Sequence, residues 1–434
     1  MLIAMVGNLV PPLVSLFSGP ILAQSLGVGG RGMVAAATAP FALVVALVTF
    51  GVPESVTYAV ARAPHLARNV LARGMWLLVL AGVLACGLVF LASPVLSAED
   101  PTIRELMLIA CAAIVPNLIV GALRGVASAT GRWAMVTSQR ILGAILKLAI
   151  LIPFWLTGNL TPLVATIVIA AVPVLGAFPY VLMLRKLPGR SADVPAEART
   201  PALLSYGSRT WAGSVSGILH ARIDQVLLTP LAGPVELGLY VVAVAVGELP
   251  LIIHASIRDV NFVSEAAGSQ DGRLAATARI STLLTGGAAL FIGATMYWWL
   301  PVLYGRDFEA ALPVTVVMLA AVVLGTPGSI AGSGLSGRGR PGLRSMTLFG
   351  AFVVNAALLF ALVPSMGAVG AAWATVGGQV AQGAACIYLV NRHYGIPVRS
   401  FYGVRRSDVE QLAQLVGGLR RRIRPTREGK GISA

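Results

Sequence analysis

Five ionisable residues lie inside long apolar runs of this chain: Glu54, Lys147, Arg222, Asp224 and Glu248. A charge at the centre of a bilayer costs on the order of 3 kcal/mol on insertion scales unless it is paired or hydrated. Residues of these types at such places therefore imply a chemistry. The two cations can grip an anion, and the three acids can take up a proton or a sodium ion. Lys147 and Glu248 each sit at the middle of an apolar run, Glu248 next to Pro250, while Glu54 directly follows Pro53. Arg222 and Asp224 share the stretch HARIDQVLL. Two residues apart on a helix they cannot occupy one face, whereas His220 and Asp224, four apart, can. Two arrangements follow. In one, a hydrated cavity presents cations to an anionic headgroup and acids to a coupling ion. In the other, Lys147 or Arg222 merely neutralises Glu248 or Asp224 between helices.

Other chemistries lack their residues. No GxxxxGK[ST] phosphate loop and no HExxH pair occurs, and His65, His220, His254 and His393 are too dispersed for a metal site. Cys86, Cys111 and Cys386 lie in apolar segments without CxxC spacing, which predicts inert packing rather than disulfides or zinc. We expect no enzyme, no cofactor and no metal. Any movement across a membrane must then be passive or draw on an ion gradient.

The elements that must position the five residues follow from composition. Of 434 residues, 57% are hydrophobic and only 11% charged, with mean hydropathy +0.83, whereas soluble domains are about a quarter charged. A spanning helix needs roughly 20 apolar residues. Windows of about that length predict twelve: 4–24, 33–60, 72–93, 103–127, 136–157, 163–184, 203–229, 237–258, 278–300, 311–335, 342–364 and 367–391. The expected fold is all-α, a polytopic membrane protein. The net charge of +15 does not point to nucleic acid, because the basic residues are scattered between apolar runs instead of gathered on one soluble face.

Their scatter sets the topology. Alternate loops and the tail hold 27 of the 32 Lys and Arg residues; the opposite loops hold only Arg31, Arg104 and Arg306, and Lys147 and Arg222 fall inside spans. Basic residues are retained on the cytoplasmic side, so both termini are expected there, in the cell inner membrane. The turn Gly27 to Gly32 recurs 206 residues later as Gly233 to Gly238, and Gly131-Arg132 recurs 208 later as Gly339-Arg340. Two pairs with nearly one offset predict two pseudo-symmetric six-helix lobes in parallel topology. The expected divisions are a lobe over 1–184, a polar cytoplasmic linker over 185–202, a lobe over 203–391 and a basic tail over 392–434. Spans 1, 2, 7 and 8 are related by this repeat and carry four of the five charges, which favours the cavity over simple pairing. In the tail, Ser407 and Glu410 form a capping box, and Val409, Leu412, Val416, Leu419 and Ile423 recur at helical spacing before the cluster from Arg420 to Arg424. This predicts an amphipathic helix on anionic membrane lipids. Pro40, Pro53, Pro116, Pro173, Pro250 and Pro327 mark kinks within spans, and Gly121/Gly125, Gly213/Gly217 and Gly328/Gly332 are small-residue pairs for close helix packing.

Several stretches, in order and spacing, resemble the polysaccharide transport (oligosaccharide flippase) family of the multidrug/oligosaccharidyl-lipid/polysaccharide exporter superfamily. They are LAQSLGVGGRGMVAAATAP in spans 1 to 2, RIDQVLLTPLAGPVELGLYVVAVAVGELP in spans 7 to 8, LYGRDFEAALPV before span 10 and GRGRPGLRSM after it. The resemblance implies a V-shaped bundle of two lobes that moves undecaprenyl-diphosphate-linked oligosaccharides from inner to outer leaflet for cell-surface polysaccharide biosynthesis. It also implies cationic cavity residues, which Arg222 and Lys147 would supply, while Glu54, Asp224 and Glu248 would couple an ion, H+ or Na+, or pair charge. Expected partners are the lipid-linked oligosaccharide, membrane lipids and polysaccharide assembly proteins. The alternative is a cation-coupled multidrug exporter of the same superfamily. A lipid-linked peptidoglycan precursor flippase normally has fourteen spans, and a glycan polymerase or ligase needs a large outer loop; this chain has neither.

Overall fold

The computed structural model describes residues 2–185, 187–189, 200–268, 271–403, 405 and 408. Hydrocarbon offers backbone N–H and C=O groups no water, so an apolar run must satisfy them within a helix. Among the described residues the chain forms fourteen α-helices and no strand. They are α1 (Leu2–Leu47), α2 (Val52–Arg62), α3 (Ala67–Leu96), α4 (Pro101–Cys111), α5 (Ile114–Ala129), α6 (Trp133–Leu156), α7 (Pro162–Leu175), α8 (Pro179–Leu184), α9 (Thr200–Ala232), α10 (Pro234–Gly247), α11 (Leu251–Ala267), α12 (Asp271–Tyr304), α13 (Ala311–Gly337) and α14 (Pro341–Tyr394).

Helices and passes are not the same units. Gly27 (φ 63°) breaks α1 and Gly367 (φ 56°) breaks α14, so each contains two passes. Conversely α4 with α5, and α7 with α8, continue as single spans, and α10 with α11 make one span bent by 54°. Eight helical stretches are long and apolar enough to cross a membrane, or nine with the bent pair. Dividing α1 and α14 and adding α9, which carries Arg209, Arg222 and Asp224, is consistent with twelve passes. Pro53 opens α2 after its break and Pro250 caps α11 at the 54° bend, as expected of a residue that removes a donor and clashes with the preceding turn. Pro173 and Pro327 remain inside α7 and α13.

The repeat seen in the sequence has a backbone counterpart. Gly27 and Gly233 have φ of 63° and 89°, Gly131 and Gly339 have 68° and 81°, and Gly158 and Gly367 have 69° and 56°. Left-handed turns that favour glycine thus recur at nearly constant separation in the two lobes. Where the lobes meet, the first pair of turns packs reciprocally. A β-carbon at Gly32 would fall 1.7 Å from the Pro234 carbonyl oxygen, and one at Gly238 would fall 2.2 Å from that of Val28. At the arginine-rich end, Gly51 and Gly207 touch in the same manner, with a β-carbon at Gly51 2.1 Å from the Gly207 carbonyl oxygen. Trp211 closes over this contact by donating its indole N–H to the Leu47 carbonyl at 2.5 Å and packing on Phe50. The seam between the lobes is therefore shut at both ends.

Small residues also draw the helices together. Gly125 lies against the Pro53 carbonyl and Gly328 against Gly383, where a β-carbon would come within 2.0 Å of the opposing Cα. The cysteines are free; Cys111 and Cys386 are buried, and the Cys86 thiol donates to the Cys111 carbonyl at 3.4 Å. Beyond α14, the chain turns back onto α12, where Arg279 grips Asp408 through two bonds of 2.7 Å and donates to the Ser400 carbonyl. This guanidinium holds the Asp408 carboxyl below its ordinary range. Most of the expected linker and the expected tail helix with its arginine cluster, Arg420 to Arg424, lie outside the described residues.

Candidate functional site

The five charges expected to do chemistry separate into two groups, one in each lobe. In the first lobe, Lys147 on α6 lines a cavity of about 270 Å³ together with Arg124 of α5 and Arg140 of α6. No acidic residue is among those lining it. Arg31 of α1 acts electrostatically on Lys147 from nearby. Glu54, exposed in the first turn of α2 where a negative charge complements the helix dipole, lines an adjoining cavity of about 390 Å³ that shares Arg124 and includes Asn117. The Asn117 amide is held by the carbonyls of Ala113 and Ala170 at 2.8 and 3.0 Å, which ties α5 to α7.

In the second lobe, Arg222, Asp224 and Glu248 form one electrostatic group, the guanidinium acting on both carboxylates. Arg222 and Glu248 are exposed, whereas Asp224 is buried. The faces of α9 divide as their spacing predicts: His220 and Asp224 turn inward and Arg222 turns away. Asp224 accepts a short hydrogen bond from the Tyr240 hydroxyl and another from the Gln225 N–H at 2.8 Å. Tyr240 in turn lies 3.0 Å from the Thr375 hydroxyl, so the carboxylate is linked through α10 to α14. Beside it, His220 and Asn355 are buried around Gly378, and among the described residues neither side chain has a hydrogen-bond partner. Buried polar groups without partners are costly. Such groups near a buried carboxylate suit the transient holding of a proton or a small cation.

Pairing of Lys147 with Glu248 or Asp224 does not occur, because the charged neighbour of Lys147 is Arg31. Arg222, by contrast, does sit in the field of both acids. The 27 basic residues counted to alternate loops and the tail include Arg124 and Arg140, and the spacing predicts Arg31 in the turn Gly27 to Gly32, yet all three belong to helices, α5, α6 and α1. A signal existed for two of them: Arg124 and Arg140 fall inside the predicted spans 103–127 and 136–157. For Tyr240 and Thr375 there was none, since a tyrosine and a threonine in apolar runs are unremarkable until a carboxylate is seen between them.

The chain's fold is similar to that of the lipid II flippase MurJ in an inward closed conformation, with TM-score 0.75, 12% identity and coverage of 98% of this chain and 94% of that one. It is similar to an inward-facing multidrug resistance transporter of the MATE family within the MOP superfamily, with TM-score 0.68, 15% identity and coverage of 91% and 98%. The MATE multidrug transporter DinF-BH matches with TM-score 0.60, 14% identity and coverage of 93% and 95%. No curated protein matches the sequence. Residues 1–262, more than half of the chain and including all five charges, match the family model described as polysaccharide biosynthesis protein. The chain is thus a multi-pass membrane protein that belongs to the polysaccharide biosynthesis protein family.

Proposed function

We propose that this protein is a flippase that carries a polyprenyl-diphosphate-linked oligosaccharide from the inner to the outer leaflet of the cytoplasmic membrane by alternating access. One observation carries the reading: Arg124, Arg140 and Lys147 surround a single cavity that no acid lines. Three cations around one cavity repel each other and are suited to an anion of more than one charge. A diphosphate cannot cross ~30 Å of hydrocarbon without replacement of its hydration, and guanidinium groups supply that replacement through charge-assisted, bidentate hydrogen bonds. Arg222 offers the matching group in the other lobe. Asp224 and Glu248 are the acids through which an H+ or Na+ gradient would act, with Glu54 available in the first lobe. The excess of arginine and lysine in alternate loops supports cytoplasmic termini. Polysaccharide assembly proteins would receive the product.

A cation-coupled drug exporter is the second reading, favoured by the acids Asp224 and Glu248 that Arg222 serves. Reconstitution separates the two. In proteoliposomes, a polyprenyl-diphosphate oligosaccharide should become accessible to an impermeant lectin on the opposite face, whereas a cationic dye should not accumulate. Dye transport without glycan transport would overturn the flippase reading.

The hydrogen-bonded chain from Asp224 makes a further expectation specific. If it couples an ion, Asp224→Asn should retain slow transport but lose its response to an imposed H+ or Na+ gradient. Tyr240→Phe, lacking a hydrogen bond to a charged acceptor worth about 1.5–3 kcal/mol, should weaken that response at least tenfold. Unaltered gradient stimulation in both variants would remove this acid from coupling.

A further inference from the structure

The arginine-rich end of the seam holds a site that the proposed transport path does not use. Ser55, Tyr58 and Arg62 of α2 face Ser205, Tyr206 and Arg209 of α9 around a cavity of about 290 Å³. The two tyrosine rings stack across the seam with centroids 4.3 Å apart and planes 14° from parallel. Arg62 lies over the Tyr58 ring at 5.0 Å, and Arg209 is steadied by the Ser205 carbonyl at 2.9 Å. Each lobe thus contributes one guanidinium to one cavity.

Among the described residues, no neighbouring acid neutralises either arginine. No acid is among the residues lining the cavity, and among the described residues neither arginine has a carboxylate within 4 Å. Four other arginines at this end of the second lobe do have acids: Arg338 and Arg273 share Glu265, Arg279 has Asp408 and Arg258 has Asp259. Two like charges at a closing seam oppose closure, and a polyvalent anion between them turns that repulsion into attraction to both lobes. Arginine suits phosphate oxygens, which it can meet in bidentate fashion. The Tyr58 face holds Arg62 and the Ser205 carbonyl holds Arg209, which restricts the rotamers the two side chains would lose on binding.

We propose that Arg62 and Arg209, on either side of the stacked Tyr58 and Tyr206, form a two-lobed clamp for a phosphate or diphosphate group at the arginine-rich end of the seam. Resting on the flippase reading, the clamp is the place where the diphosphate of the lipid-linked substrate first meets the protein, before the deeper cations. Capture by both lobes at once also ties the presence of substrate to the closing of this end, beside the Gly51 and Gly207 contact.

The test is direct binding to the full chain in phosphatidylcholine nanodiscs, with geranylgeranyl diphosphate and inorganic pyrophosphate as separate probes. Arg62→Ala and Arg209→Ala should each weaken binding of geranylgeranyl diphosphate at least tenfold, and Arg209→Lys should lose less than Arg209→Ala. Both arginines are exposed, so the variants should remain monodisperse, which gel filtration verifies. Equal affinity for pyrophosphate would show that the free anion suffices; a preference for geranylgeranyl diphosphate would show that the lipid-borne group is the ligand. Either result supports the clamp. Binding unchanged in both alanine variants but weakened by Arg222→Ala would overturn the clamp and leave the flippase reading standing. A wild-type protein that binds neither probe would overturn both.

Discussion

Arg222→Ala should abolish export of lipid-linked glycan in a complemented deletion strain, with at least a hundredfold loss in rate, and Arg222→Lys should retain about a tenth of the wild-type rate. The guanidinium is exposed while its neighbour Asp224 is buried, so the cation is presented to whatever enters the lobe and the acid is not. Its field nevertheless acts on Asp224 and Glu248. Removing it deletes the hydrogen-bond donor to phosphate and leaves the exposed Glu248 uncompensated before an incoming anion, both of which disfavour transport. Each charge-assisted hydrogen bond contributes about 1.5–3 kcal/mol, and every 1.4 kcal/mol is roughly a factor of ten; two lost bonds give the expected size. Lysine keeps the charge but not the bidentate geometry. Lys147→Ala should cost less, because Arg124 and Arg140 line the same cavity and keep it cationic. Full export by Arg222→Ala at normal protein levels would confine Arg222 to charge pairing.

Gly32→Ala should cost roughly fivefold or more in transport although Gly32 itself carries no charge and lines neither charged cavity. In the closed seam its α-carbon lies against backbone of the other lobe, and an added methyl would fall 1.7 Å from the Pro234 carbonyl oxygen. Backbone cannot rotate away as a side chain can, so the lobes must separate at this end. Overpacking of this kind costs typically 1–3 kcal/mol, enough to shift a two-state equilibrium by roughly five- to 150-fold. Gly238→Ala, the reciprocal position with a clash of 2.2 Å against the Val28 carbonyl, should behave alike. A disulfide trap across the seam measures the population directly. Wild-type cross-linking and transport in both variants would show that closure of this end is not part of the cycle.

Spans, breaks and charge bias were legible in the sequence because each is local or additive. A run of apolar residues must become a helix in lipid whatever it packs against, a proline such as Pro53 or Pro250 interrupts it from within, and the 27 basic residues counted to alternate loops and the tail add up independently of the fold. The repeat was legible for a related reason: Gly27 and Gly233 are needed for φ values of 63° and 89° that other residues rarely adopt, so the backbone demand is written into residue type. Individual burial on α9 could be read as well, since His220 and Asp224 are four apart and Arg222 is not in step with them.

Which charges meet was decided only in three dimensions. Lys147 is 23 residues from Arg124 in sequence and shares its cavity, while the acid that coupling would use is completed by Tyr240 and Thr375 from two other helices. Between helices in a bilayer there is little hydrophobic force to specify partners; contact depends on small residues that let backbones approach. The rotation and crossing of each helix therefore come from many weak contacts far apart in the chain, such as Gly328 on Gly383 and Gly32 on Pro234. Sequence by itself determined that this protein crosses the membrane as two related sets of helices with charges inside. The tertiary structure decided that cations of the first lobe line one cavity together and that the acids of the second stand around one arginine, because a side chain's neighbours are set by the packing of its helix and not by its own position in the chain.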